Sequence, residues 1–196
     1  GAGNDTIDGG QGNDTIDGGA DDDSIAGGFG EDSILGGDGN DTIFAAGDND
    51  FVDGGDGDDS ISGVRGDDIL FGGEGDDTID GGEDNDEIDG GDGDDSLLGG
   101  FGNDTIEGGE GDDTLRNSAG DDSLVGGVGN DSIVATDGND TLEGGIGDDT
   151  MFGGNDNDSL DGGDGADVLD GGAGSDTLIG FGDKSNFTLL LGLNSI

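Results

Sequence analysis

A glycine pair returns every nine residues along this chain, and the register holds without insertion or deletion from Gly1 to Ile179. Numbering each unit from its glycine pair puts GGQGNDTID (9–17) at positions one to nine; the first unit lacks one residue and nineteen full units follow. Position six is Asp in all twenty units, and position eight is apolar in all twenty. Unpatterned acidic disorder would not keep two such columns in step, so the period is structural.

Composition says what that structure must overcome. The chain carries 52 acidic residues against 3 basic ones, a formal charge of −49 over 196 residues, and another 52 glycines. Taken alone, this is the composition of a disordered polymer. One large apolar side chain per nine residues does not offset backbone ordering of roughly 1–2 kcal/mol per residue. The missing stability has to come from outside the chain. Nucleic acid and anionic membranes are excluded as partners, because both need clusters of Lys and Arg. The absence of cysteine removes disulfides and thiolate metal sites. Carboxylate and carbonyl oxygens suit hard cations, calcium first among them. The apolar runs, such as Ile43 to Ala46 and Leu189 to Leu191, are far too short to span a bilayer. No Sec-type signal is visible, and the chain reads as a soluble, processed or excised piece.

The pattern Gly-Gly-x-Gly-x-Asp-x-apolar-x resembles the calcium-binding nonapeptide of the RTX (repeats-in-toxin) family, over about nine tenths of the chain. The resemblance implies an all-β fold, a parallel β-roll. This is a right-handed solenoid of about ten coils, with 18 residues and two short strands per coil. Six residues of each unit form a turn and three a strand, and calcium ions sit between the turns of successive coils. The implied ligands are turn carbonyls and the position-six carboxylates: Asp5, Asp14, Asp23, Asp32, Asp41, Asp50, Asp59, Asp68, Asp77, Asp86, Asp95, Asp104, Asp113, Asp122, Asp131, Asp140, Asp149, Asp158, Asp167 and Asp176. The roll would occupy 1–179, and 180–196 would form a degenerate last repeat with an apolar capping strand.

The residues support that reading independently. In a three-residue strand, position eight points inward while seven and nine point out, and position seven is mostly Thr or Ser. Glycine at positions one, two and four permits positive φ, which lets a tight turn aim several carbonyls at one point. Calcium takes six to eight such oxygens at about 2.3–2.6 Å. Stacking at roughly 4.8 Å puts one Asp above another. Without a cation, each neighbouring pair would repel by several kcal/mol at an effective dielectric near 20. Metal binding and folding are therefore expected to be coupled. Two rows of ten Asp leave at most eighteen inter-coil sites, and filling all of them would bring the charge to −13. Ten coils make a rod on the order of 50 Å long.

The two rows differ. Along the row that contains Asp23 and Asp41, every full unit opens with Gly-Gly. Along the other, four of ten open with Ala45-Ala46, Gly63-Val64, Asn117-Ser118 or Ala135-Thr136. Position four is Asp at Asp48, Asp84 and Asp156 on this second row, against Asp21 alone on the first. Because β-branched Val64 and Thr136 are poorly suited to positive φ, weaker calcium binding is expected between Asp50 and Asp68 and between Asp122 and Asp140. Drift in a redundant array explains these departures, as does an edge that faces a partner. Phe29, Arg65 and Phe101 stand on the same edge, and Phe44, Phe51, Ile69 and Phe71 would form an apolar patch over neighbouring coils.

In GFGDKSNFT, Gly180 and Phe187 keep their places, with Phe187 at position eight, but Ser185 replaces Asp. The tail that follows reads as a cap, or by resemblance as part of a C-terminal export signal. No cap is visible at the other end, so either more repeats once preceded Gly1 or another molecule covers the first coil, and head-to-tail association into a fibre is one expectation. There is no His, Cys or Tyr and no singular cleft, so catalysis is not expected. The leading reading is a non-enzymatic, calcium-folded structural element of a secreted or cell-surface protein, such as a fibre or surface-layer element. The alternative is the calcium-dependent C-terminal module of a secreted protease, lipase, epimerase, adhesin or toxin. An ice-binding face fits less well, since the outward pairs seldom read Thr-x-Thr.

Overall fold

The computed structural model describes residues 1–180 and the strand Thr188–Leu190. Strands alternate between two sheets as the chain winds. An eleven-stranded sheet begins with Thr6–Gln11, Ser24–Phe29 and Thr42–Gly47, and a ten-stranded sheet begins with Thr15–Ala20, Ser33–Asp38 and Phe51–Asp56. Every pairing among the described strands is parallel, and in all but the last strand of the eleven-stranded sheet partners lie 18 residues apart, as in Ile7 with Ile25 and Thr15 with Ser33. Two nonapeptides therefore make one coil of a parallel β-roll, and the described residues contain no helix.

The strands are longer than the sequence suggests. Most have six residues rather than three, running from position seven through the glycine pair to position three of the next unit. Pairing continues past the glycines, with Gly10 opposite Gly28 and Gln11 opposite Phe29, so the turn proper shrinks to positions four to six. Glycine at position two makes this possible, because it takes φ between 80° and 120° and redirects the chain while its neighbours stay paired. The exceptions support this cause. Ala46 and Val64 accept the same region, at φ 93° and 81°, and their strands keep six residues. Ser118 and Thr136 do not adopt it, and the strands Thr114–Arg116 and Ser132–Val134 stop at three.

The core is one column of side chains from each sheet. Every position-eight residue from Ile16 to Leu169 is at most 7% exposed, and the end residues Ile7 and Leu178 are half-buried. Position seven stays at the surface or half-buried, as the two-residue alternation requires. The apolar surface is divided between the two sheets. Phe51, Ile69 and Phe71 share the ten-stranded sheet, where the Phe51 and Phe71 rings stand 5.7 Å apart, whereas Phe44 lies in Thr42–Gly47 of the other sheet. The expected four-residue patch is thus three residues. Phe29 and Phe101 project from strand ends and are 68% and 64% exposed.

At the C-terminal end, Thr188–Leu190 extends the eleven-stranded sheet by pairing with Val168–Asp170, and Leu189 lies opposite Leu169. The offset is 20 residues instead of 18. Leu189 takes the position-eight register expected for Phe187, which lies outside the described residues. Thr188-Leu189-Leu190 repeats the Thr-apolar order of the other strands, and Asn186-Phe187-Thr188 does not.

Burial along the column sets the first prediction. Ile106→Ala, in the middle of the roll, should lower the unfolding free energy of the folded protein by about 2–5 kcal/mol in chemical denaturation. Leu178→Ala should cost clearly less, since Leu178 is only half-buried at the end of the core.

Candidate metal centre

Each position-six Asp closes the turn just before the next strand, and its side chain is carried inward beside the residue that opened its unit, in most units a glycine. From Asp23 to Asp167, all seventeen are at most 4% exposed. Asp14 and Asp176 are half-buried and Asp5 is exposed, as end coils require. One carboxylate oxygen has a partner: the backbone N–H of Asp23 donates to Asp41 Oδ1 at 2.7 Å, that of Asp41 to Asp59 at 2.7 Å, and that of Asp68 to Asp86 at 3.0 Å. The second oxygen does not. Oδ2 is buried and without a hydrogen-bond donor in sixteen of these residues, from Asp14 to Asp158. Such an atom normally costs about 1–3 kcal/mol, and more when charged.

Position one explains where that oxygen points. A Cβ placed on Gly18 would stand 2.5 Å from Asp23 Oδ2 and 2.6 Å from the Gly36 carbonyl oxygen of the next coil. On Gly9 it would stand 2.8 Å from Asp14 Oδ2 and 2.6 Å from the Gly27 carbonyl oxygen. The backbone there is not in the left-handed region, so the positive φ that glycine was expected to permit is used at position two and not at position one. Where glycine stands, its missing Cβ leaves a cradle bordered by two hard oxygens. Ala45 and Ala135, both fully buried, carry the methyl that glycine omits elsewhere.

These features fit a hard divalent cation. The orphaned anionic oxygens are buried, the cradle is open and the neighbouring donors are carbonyls. Among the described residues no cluster of three or more carboxylates forms a metal site, so an ion would take most of its ligands from the main chain.

A second ladder was not foreseen from the sequence. Position five is Asn or Asp in seventeen of twenty units, and its side-chain oxygen accepts from the position-five N–H one coil further on. Asp76 N–H donates to Asp58 Oδ1 at 3.1 Å and Asn103 N–H to Asn85 Oδ1 at 2.9 Å. Position six reaches back one coil and position five reaches forward, so each turn is clamped from both sides. The signal was the short Asx side chain in that column, overlooked beside an invariant Asp. The pairs are exposed, and their oxygens are already used in hydrogen bonds.

The two ladders titrate in opposite directions. Burial pushes Asp68, Asp77, Asp86 and Asp113 up to about 7, and Asp50, Asp59, Asp95, Asp140 and Asp149 up to about 6. A backbone N–H opposes each shift, and neighbouring carboxylates add to it. In the exposed ladder, hydrogen bonds from Asn85, Asn130 and Asn139 hold Asp67, Asp112 and Asp121 below their ordinary value.

The departures from Gly-Gly are concentrated on one row, as the sequence indicates, and one of them bears directly on a row carboxylate. Asp122 keeps an orphaned Oδ2, whereas Asp104, one coil earlier, does not. There Asn117 Nδ2 donates to Asp104 Oδ2 at 2.9 Å. Arg65, at position three, pairs with Glu83 at 3.1 Å, and both are well exposed, so the pair adds little stability.

Fold and site together define a nonapeptide β-roll with an inward carboxylate row along each edge. A family model described as RTX calcium-binding nonapeptide repeat (4 copies) matches residues 1–34, 26–61, 53–88, 62–97, 89–124, 116–151, 125–160 and 143–178. These matches run continuously over 1–178, and the chain belongs to the RTX calcium-binding repeat family. No curated protein matches it.

The raised carboxyls give a pH prediction for the chelated chain. A folded-state value above the unfolded 3.8 means that the fold binds protons more tightly than the unfolded chain. The stability involved is fully present below about pH 4 and is lost as pH rises through 6 to 7. Acidification from pH 8 to 4 in chelator should therefore increase the strand signal in circular dichroism. A signal that stays flat or falls across that window would contradict the burial of these groups.

Proposed function

We propose that this protein is a non-enzymatic, calcium-folded structural rod that acts outside the cell, with calcium held between coils by the twenty position-six Asp residues and neighbouring carbonyls. The carrying observation is the set of sixteen buried Oδ2 atoms without donors, thirteen of them beside a position-one glycine whose missing Cβ leaves room. A cation supplies the counter-charge that no side chain provides along these rows. Sixteen buried acceptors that no protein group satisfies are difficult to reconcile with a fold stable by itself.

Calcium dependence also gives the rod a place to fold. At micromolar or lower cytosolic calcium the chain stays unfolded and can pass through an exporter. At millimolar external calcium, weak sites of the extracellular kind fill, and binding shifts the equilibrium toward the fold. Residues 1–179 make up the roll and 180–196 its cap, a role supported by the pairing of Thr188–Leu190 with the last full strand of the eleven-stranded sheet. At the other end, Thr6–Gln11 is paired on one side only and Thr15–Ala20 has just the isolated Ala2–Ala20 bridge on its outer side, so a second copy docking there would continue both sheets into a fibre.

Circular dichroism against calcium, reversed by chelator at neutral pH, tests the reading. The strand signal should appear with calcium and disappear with chelator; a signal indifferent to both would refute it. Gly90→Ala adds the local test. Its methyl would meet Asp95 Oδ2 and the Gly108 carbonyl oxygen, so the variant should bind less calcium and need a higher concentration to fold.

A further inference from the structure

The second row contains one position-six carboxylate that is fully satisfied by protein. Asp104 Oδ2 accepts from Asn117 Nδ2 at 2.9 Å, while the corresponding oxygens of its row neighbours Asp86 and Asp122 have no donor. Asn117 is 2% exposed, so its amide is inside the roll. The other end of that amide is also engaged: Oδ1 accepts from the backbone N–H of Gly100 at 2.6 Å and of Ser118 at 2.9 Å.

The location decides the meaning. A Cβ on Gly81 would meet the Gly99 carbonyl oxygen at 2.8 Å, the usual arrangement in which the next coil's main chain borders the cradle. On Gly99 it would instead meet Asn117 Oδ1 at 2.7 Å and Asp104 Oδ2 at 2.6 Å. The amide oxygen thus stands where a backbone carbonyl stands in other coils, and the amide N–H₂ faces the carboxylate oxygen that elsewhere has no donor. One side chain supplies both the oxygen border of the cradle and a positive dipole end within it.

We infer that the Asn117 side chain takes the place of a calcium ion between the coils that carry Asp104 and Asp122. This rests on the calcium reading above and adds to it that the ladder is deliberately interrupted at one joint. Position one of that unit is the place for such a residue: the strand ends at Arg116, and Asn117 keeps its N–H bonded to the Val134 carbonyl oxygen at 2.8 Å while its side chain lies inside the roll. The joint between these coils is then closed by the chain itself and does not wait for metal. The row is divided into a segment before it and a segment after it, each of which loads calcium independently.

The test is a count of bound calcium at saturation, by native mass spectrometry and equilibrium dialysis, on the full chain and two variants. Asn117→Gly restores the repeat motif and opens the cradle. Asn117→Asp keeps the size of the side chain, removes the N–H₂ donor and places a second carboxylate against Asp104. Each variant should bind one calcium ion more per chain than the wild-type protein. The Asp variant should also need more calcium to fold, by a shift of its midpoint to higher concentration. Equal counts in all three chains, with the wild type still taking up calcium, overturn the inference about Asn117 while leaving the calcium reading intact. A wild-type chain that takes up no calcium overturns both.

Discussion

The structure depends on a carboxylate oxygen that is buried with nothing from the protein to meet it. In a hydrophobic interior an uncompensated anion is among the most costly arrangements a chain can adopt, and here it recurs at nine-residue intervals. The neighbouring features are consistent with that one constraint. The position-one glycine keeps the space beside the oxygen open, the position-two glycine turns the chain so that the next coil's carbonyl borders the same space, and the Asp backbone N–H fixes the other carboxylate oxygen. Removing any of the three would disturb the orphaned oxygen's surroundings before it disturbed the apolar column.

The apolar column and the carboxylate rows divide the work of folding. The column sets the register, because a slip of one residue would turn every Ile and Leu to the surface. It gives little beyond register, since it supplies one large side chain per nine residues in a chain with so much glycine to order. On the proposed function, the rows provide the condition under which the register is worth adopting, through metal binding coupled to folding. The exposed Asx ladder at position five links coils without burying charge, and it leaves the strongly shifted carboxyls to the interior rows.

Much of this was legible in the sequence because a strict period turns one correct unit into the whole fold. Parallel pairing, the 18-residue coil, the position-eight core and the inward Asp all follow from two columns in register. What was missed depended on backbone geometry that residue types do not encode. The six-residue strands arise because a position-two glycine can bend and pair at once, whereas the repeat had suggested that glycines belong wholly to turns. The role of position one as empty space is invisible to a reading that treats glycine as a source of positive φ. Leu189 stands opposite Leu169 in the sheet register, a pairing that a count by nines does not give because the offset is two residues longer. Phe44 fell on the opposite sheet from Phe51 because positions nine and seven of successive units are separated by a turn.

Anomalous diffraction from calcium-grown crystals tests the central claim most directly. The account predicts density peaks between successive coils beside the Oδ2 atoms, in one file along each edge. Peaks confined to the exposed position-five carboxylates, or a well-ordered roll with no peaks along either row, would contradict it.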